Sequence, residues 1–469
     1  MTQRWIRALT ALLVGGGIVA WLLLPVRFAV ERPRLGIPAV VAPGETFSIV
    51  VRGSVPFWSG VEKAEIVSSA PIDTQNARAP RQRHVLVLTG LRLTGVHADI
   101  KAVVPAGVPD GPYDLVVSGR QRIVVRPRSL FVQKSFPDRF SLAQMADLPE
   151  LTTDDGVRRL NAIVDEINVV NPEAVLLTGD LAYGGAWHSY DRLVRALLRL
   201  RAPVIAAPGN HEYEGWAGYL SYFGSPYHAV DLGKLRILSL NSGHGRDQLT
   251  QSQFRWLRDN LPPAGSGLTV IQIHHPPFPE RSFRVNDLAF AALASERGVP
   301  LVLHGHWHAD GVFDGQGRRR EDTTAFPGTH FAVTTAAGRA LRRMSETLTS
   351  YHGYRIVRIE AGQVVSYTYD VDGDGVRDAA ASVPLGMIHV EAPEPGTVRV
   401  KNKLNEALPN ARVRIAAGAD AGPVMSASRG TVAEVIELGE TRFFEVVVDI
   451  PARSEVVISL LPAQLAEQP

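Results

Sequence analysis

The 469-residue chain contains no cysteine, so disulfides, thiolate metal sites and a cysteine nucleophile are all excluded. A surplus of either charge is also missing. Lysine and arginine number 49 against 47 aspartates and glutamates, which implies no broad field for nucleic acid, although the sequence pI of about 8.8 is mildly basic. Between residues 33 and 128 helical periodicity is absent. Short alternating runs such as VVAPGETFSIVVRG and GPYDLVVSGRQRIVVRP, separated by Gly and Pro turns, suggest instead a β-sandwich over residues 31–128 with no chemistry of its own.

One long uncharged run stands out. Ala8 to Val26, ALTALLVGGGIVAWLLLPV, would make about 28 Å of helix at ~1.5 Å per residue, enough to span a bilayer core. Residues 1–30 are therefore expected to be a transmembrane anchor. A cleaved signal peptide is the alternative, with a shorter apolar region and a small-x-small ending. Arg4 and Arg7 before the run are nearly balanced by Arg27, Arg32 and Arg34 after it, which weakens the orientation signal. The expected location is membrane-anchored and extracytoplasmic, periplasmic or cell-surface.

From Ser129 onward, strand-like runs alternate with amphipathic stretches such as 156–170, 189–200 and 251–261, the pattern of βα units with mostly parallel strands. Four of the apolar runs end on polar residues. AVLLTGD delivers Asp180, VIAAPGNHE delivers Asn210 and His211, LTVIQIHHPP delivers His274 and His275, and LVLHGHWH delivers His306 and His308. In α/β sheets, residues just past the carboxyl ends of strands line the ligand crevice. A set of imidazole, carboxylate and amide oxygen suits Zn, Mn or Fe(II) rather than Mg or Ca alone.

This order of motifs resembles the calcineurin-like metallophosphoesterases, whose pattern is D-x-H, G-D, G-N-H, H and G-H-x-H, each after a core strand. The resemblance covers residues 129 to 370 and implies an α/β fold, with a four-layer α/β/β/α central domain at 129–378. It implies that Asp180 bridges two metal ions, that Asn210, His274 and His306 complete the second site, and that His308 belongs to the first. His211 would be the general acid, with Asn210 and His211 facing the substrate. The implied activity is hydrolysis of a small phosphate monoester or diester by metal-activated hydroxide, with one or two divalent transition metals, Mn, Fe or Zn. The first motif is degenerate. Expected after the run Ser129–Lys134, it reads Ser135-Phe136-Pro137-Asp138, with Phe136 at the Asp position and Asp138 at the His position. Asp138 is the remaining oxygen donor there, and Tyr183, in a GD-x-x-Y spacing similar to that of purple acid phosphatases, is a second replacement.

Beyond the last motif, DVDGDGVRD places Asp370, Asp372, Asp374 and Asp378 at the spacing of a calcium loop, with Ala381 where an EF-hand carries its bidentate Glu. A surface turn between domains is the competing reading. Residues 385–464 are again β-rich and are expected to form a second sandwich. Two functions follow from the sequence: a membrane-anchored metallophosphoesterase, or an attenuated metal-binding or scaffolding protein of the cell envelope, which Phe136 favours.

Overall fold

The computed structural model describes residues 28–53, 61–69, 81–94, 97–119, 122–243, 249–278, 287–320, 327–341, 351–374, 381–417, 425–438 and 441–462. The run Ala8–Val26 and Asp378 lie outside them. Among the described residues, no helix is long and apolar enough to cross a membrane.

The centre of the fold is a pair of six-stranded sheets. In one, Val204–Ala207, Ala174–Thr178, Arg139–Met145, Gly353–Glu360 and Gln363–Ser366 lie side by side, with Val383–Pro384 paired to Gly353–Glu360. The first three strands are parallel. The other sheet runs His228–Leu232, Leu235–Leu240, Leu268–Ile273, Leu301–His304, His330–Val333 and Gly311–Phe313, and its four middle strands are parallel. Most of these strands read as unbroken apolar runs because both of their faces are covered. Leu142, Leu176 and Ile205 of the first sheet meet Ile237, Val270 and Leu303 of the second in one cluster. On the outer side, Val175 and Leu177 pack against Leu160, Ile163 and Ile167 of the helix Asp154–Val170. Ile271 and Val302 likewise meet Leu257 and Phe290 of the helices Gln251–Asn260 and Leu288–Glu296.

The helix Asp154–Val170 shows how local sequence supports this packing. Thr153 caps its start by accepting a hydrogen bond from Gly156 N at 3.1 Å, and Asn171 ends it in a left-handed turn. Asp154 and Asp155 sit in its first turn, where Asp155 pairs with Arg158 and Arg159. They belong to the helix terminus. Leu160 is buried on the inner face, and its truncation to alanine would destabilise by about 2–5 kcal/mol.

The expected boundary between residues 128 and 129 falls inside a strand. Ile123–Val132 pairs with Gly111–Gly119 and Ala39–Val41 in a five-stranded sheet that, with a four-stranded sheet, encloses Ile49, Ile66, Ile100 and Leu115. The run Ser129–Lys134 is therefore not the strand that precedes the first motif; Arg139–Met145 is. The sequence conceals this because Gln144 interrupts the apolar pattern. Gln144 is fully buried yet satisfied, donating to His304 O at 3.2 Å and accepting from the Thr334 hydroxyl. Phe136 packs beside Gly233 at the rim of the inter-sheet cluster. Asp138 is exposed at the start of Arg139–Met145, at the end of the strand away from the site, where its carbonyl accepts from Ala361 N.

After Val383, a four-stranded and a three-stranded sheet carry residues 388–462. Their apolar residues, among them Val400, Val413, Phe444 and Ile458, are continuous with the cluster under the helix Asp154–Val170.

Candidate active site

Adjacent parallel strands end level with one another, so the residues just beyond them share one rim. Met145 pairs with Leu177 and Thr178 with Ala207. Asp147, Asp180 and Asn210 therefore follow neighbouring strands of one sheet, and His274, His306 and His308 follow neighbouring strands of the other. Asp147 and Asp180 are buried. His308 Nε2 lies 3.2 Å from Asp147 Oδ1, and His274 Nε2 lies 3.3 Å from Asp180 Oδ1 and 3.9 Å from Asp147 Oδ1. One donor atom each of Asp147, Asp180 and His274 falls within a 4.8 Å group, and the same holds for His274, His275 and His306.

The imidazoles are oriented by backbone carbonyls. His274 Nδ1 donates to Thr178 O at 2.9 Å and His308 Nδ1 to Ala340 O at 2.6 Å. A carbonyl only accepts, so the proton of each neutral ring sits on Nδ1 and the Nε2 lone pair faces the carboxylates, the arrangement of metal-bound histidines. Asp147 Oδ1 is buried without a hydrogen-bond partner. Two buried carboxylates facing lone pairs are costly until a cation arrives. Burial opposes the charge of His274, but the Asp180 carboxylate outweighs it and pushes the imidazole up to about 10. Asp180 is held well below the usual carboxylate range; burial works against this, and the His274 imidazole prevails.

Backbone strain is concentrated at this rim. Asp147, Asp180, His306 and His308 all adopt left-handed backbone, with φ of 53°, 54°, 70° and 55°. Such conformations persist only where surrounding contacts enforce them. His306 N donates to Asp147 Oδ2 at 2.8 Å, and His211 N donates to Asp180 Oδ1 at 3.0 Å. Glu212, fully buried, accepts from Asp180 N, Leu181 N, Ala182 N and Gly209 N at 3.0, 2.8, 3.1 and 2.5 Å, clamping two motif loops together. Burial and the nearby Asp180 carboxylate push its carboxyl up to about 7. Gly209 is obligatory because a Cβ there would lie 2.3 Å from Asp180 Oδ1.

The structure brings Asp180, Asn210, His211, His274, His306 and His308 together. His211 is at the mouth, its ring 24% exposed and its Nε2 3.9 Å from Asp180 Oδ2. Asp138 is not among them, since the whole strand Arg139–Met145 separates it from the rim, about 20–25 Å at ~3.3 Å per residue. Tyr183 is nearby but half-exposed, its ring 4.5 Å from that of His211 and 3.7 Å from the Arg339 guanidinium carbon. Asn241 shapes the wall through paired hydrogen bonds with the Tyr213 hydroxyl at 2.9 and 3.2 Å. Sequence reasoning missed Asp147 and Arg339, and it gave no role to His275 or Glu212. The first motif is Asp147-Leu148-Pro149, with the aspartate in place and proline where the histidine belongs. Away from the rim, carboxylate oxygens of Asp370, Asp372 and Asp374 also lie within 4.8 Å of one another.

Comparison with known proteins follows the same motifs. Residues 140–310 match the family model of calcineurin-like phosphoesterases. A glycerophosphodiester phosphodiesterase of Enterobacter lignolyticus is 30% identical over 149 residues, 29% of this chain and 51% of that protein. A 3',5'-cyclic adenosine monophosphate phosphodiesterase of Escherichia coli K12 is 30% identical over 160 residues, 31% of this chain and 58% of that one. This chain thus spans little more than half the length of either. A purple acid phosphatase from yellow lupin seeds aligns over 81% of this chain and 72% of its own, with 10% identity and a TM-score of 0.42.

Proposed function

We propose that this protein hydrolyses small phosphoesters, diesters foremost, with divalent transition metal ions held at the strand-end rim. The observation that carries the reading is the facing of the buried Asp147 and Asp180 carboxylates by imidazoles whose protons are fixed on Nδ1. Asp147, Asp180 and His308 would hold one ion, and Asp180, Asn210, His274 and His306 the other, with His275 alongside. When bound, such a pair supplies positive charge to both the attacking and the departing oxygen of an in-line displacement at phosphorus and lowers the pKa of water. His211, oriented through its backbone bond to Asp180, protonates the leaving oxygen from the mouth of the site. The names of the two bacterial relatives, both phosphodiesterases, favour a diester.

Pro149 replaces the imidazole that would complete the first ion's donors, so the two positions hold metal unequally. Mn, Fe or Zn would survive dialysis in the second position, while the first would need metal in the buffer. The purified protein should show bound metal by elemental analysis and hydrolyse bis(p-nitrophenyl) phosphate or its monoester. Absence of both would leave the attenuated scaffold, which Pro149 favours. We read the flanking sheet pairs as β-sandwich spacers and residues 1–30 as an anchor holding the chain on the extracytoplasmic side. Retention in membranes after alkaline extraction, lost on deletion of that segment, would support this placement. Calcium titration would test the Asp370, Asp372, Asp374 and Asp378 loop.

A further inference from the structure

The segment after the strand His330–Val333 is held through its backbone by five hydrogen bonds, three of them with the metal-side residues Asp147 and His308. Gly338 N and Arg339 N both donate to Asp147 O at 3.3 Å, and His308 Nδ1 donates to Ala340 O. Arg159 Nη1 donates to Gly338 O at 3.2 Å, and His352 Nε2 donates to Arg339 O at 2.8 Å. Gly338 sits against Pro149; a Cβ on it would come 2.6 Å from the proline's own. The absence of a Cβ at Gly338 therefore lets this segment close against Pro149. It carries Arg339 to the mouth.

There the Arg339 guanidinium lies over Tyr183, 3.7 Å from the ring centroid, and the same ring stands 4.5 Å from His211. Arg339, Tyr183 and His211 form a row along the rim. Among the described residues, no carboxylate lies within ion-pair distance of Arg339. A guanidinium stacked on an aromatic face keeps its donor edge fixed and available, and that planar edge matches two oxygens of a phosphate.

We propose that Arg339 is a substrate-binding residue that grips the non-bridging oxygens of the phosphoester, with Tyr183 as its shelf rather than as a metal donor. This deepens the proposed function and rests on it. The probe is inorganic phosphate, titrated calorimetrically into the metal-loaded protein and used as a competitive inhibitor of aryl diester hydrolysis. Arg339→Ala should weaken phosphate binding and raise KM about 10- to 100-fold, with kcat changed far less and metal per chain unaltered. Arg339→Lys should recover part of the loss as a point charge. Tyr183→Ala should resemble Arg339→Ala, whereas Tyr183→Phe, which keeps the ring, should resemble the parent with full metal content. Circular dichroism checks folding, and if Arg339→Ala is misfolded, Arg339→Lys and Tyr183→Ala decide the matter. Phosphate affinity equal to the parent's in Arg339→Ala or Tyr183→Ala, or metal lost from Tyr183→Phe, would overturn the inference while leaving the phosphoesterase reading intact. A parent that hydrolyses no phosphoester yet binds phosphate through Arg339 would do the reverse.

Discussion

Buried carboxylates of two kinds occur in this molecule, and they differ in what surrounds them. Glu445, fully buried between the C-terminal sheet and the central domain, meets Arg414 Nε at 2.6 Å, Arg201 Nη2 at 2.8 Å and Arg412 Nε at 3.3 Å. Burial would raise its carboxyl, but Arg201 leads the three guanidiniums in holding it below the usual range. Asp310, under the active-site strands, is bonded just as completely, by Arg355 Nη2 at 2.8 Å, Ser382 N at 3.0 Å and Thr335 N at 3.2 Å. Among the described residues, no guanidinium pairs with Asp147 or Asp180. These two acids face each other's histidines, and Asp147 Oδ1 has no hydrogen-bond partner. A buried acid with its counter-charges built in is cement; one left to wait for a cation marks a site where chemistry outranks stability.

The sharpest way to break this comparison is to neutralise the waiting acids. Asp180→Asn or Asp147→Asn should abolish metal retention and lower kcat/KM by a factor on the order of 10³ or more. Chelated, Asp147→Asn should melt no lower than the chelated parent, because the buried Asp147 Oδ1 has no hydrogen-bond partner, whereas Asp180→Asn removes the charge that pairs with His274 and should melt lower. A large loss of apo stability in Asp147→Asn would show that this acid is structural. His211→Ala should cost about 10²–10⁴ in rate at unchanged metal content if its ring is the general acid.

Asp310→Ala tests the cement side. It strands the buried Arg355 and should destabilise by ~3–5 kcal/mol in urea titration, with no specific effect on metal affinity in the protein that remains folded. Glu166 sharpens the contrast through pH. Burial pushes its carboxyl up to about 7, against hydrogen bonds from Gly386 N and the Tyr354 hydroxyl. The folded state therefore holds this proton more tightly than the unfolded chain does. Stability from this group is complete below pH ~4.5, declines as pH rises toward 7, and is lost above it, by at most about 3 kcal/mol. Glu166→Gln should flatten that decline and melt higher than the parent at pH 8 but not at pH 4. The smallest effect belongs to Asp138→Ala, which should change neither metal content nor rate, since that residue is exposed at the far end of its strand. Loss of one metal ion in that variant would contradict the placement of the first motif.

The sequence alone determined the parts of the site that are local. Gly179-Asp180, Gly209-Asn210-His211 and Gly305-His306-Trp307-His308 each directly follow the apolar strand that delivers them, so strand, turn and donor are contiguous and legible together. Tertiary structure decided the rest. Asp147 was hidden because its strand carries Gln144, a polar residue tolerated only because Thr334 and the His304 carbonyl, far away in sequence, satisfy it. Glu212 stood in plain view within its motif, but its clamp on residues 180–182 exists only once two strand ends are side by side. Arg339 had no local signal at all: its place is set by hydrogen bonds from residues 159, 308 and 352 and to the carbonyl of residue 147. No linear pattern can encode a position defined by four separate stretches of chain, because the contacts that fix it form only when the two sheets and their outer helix have packed.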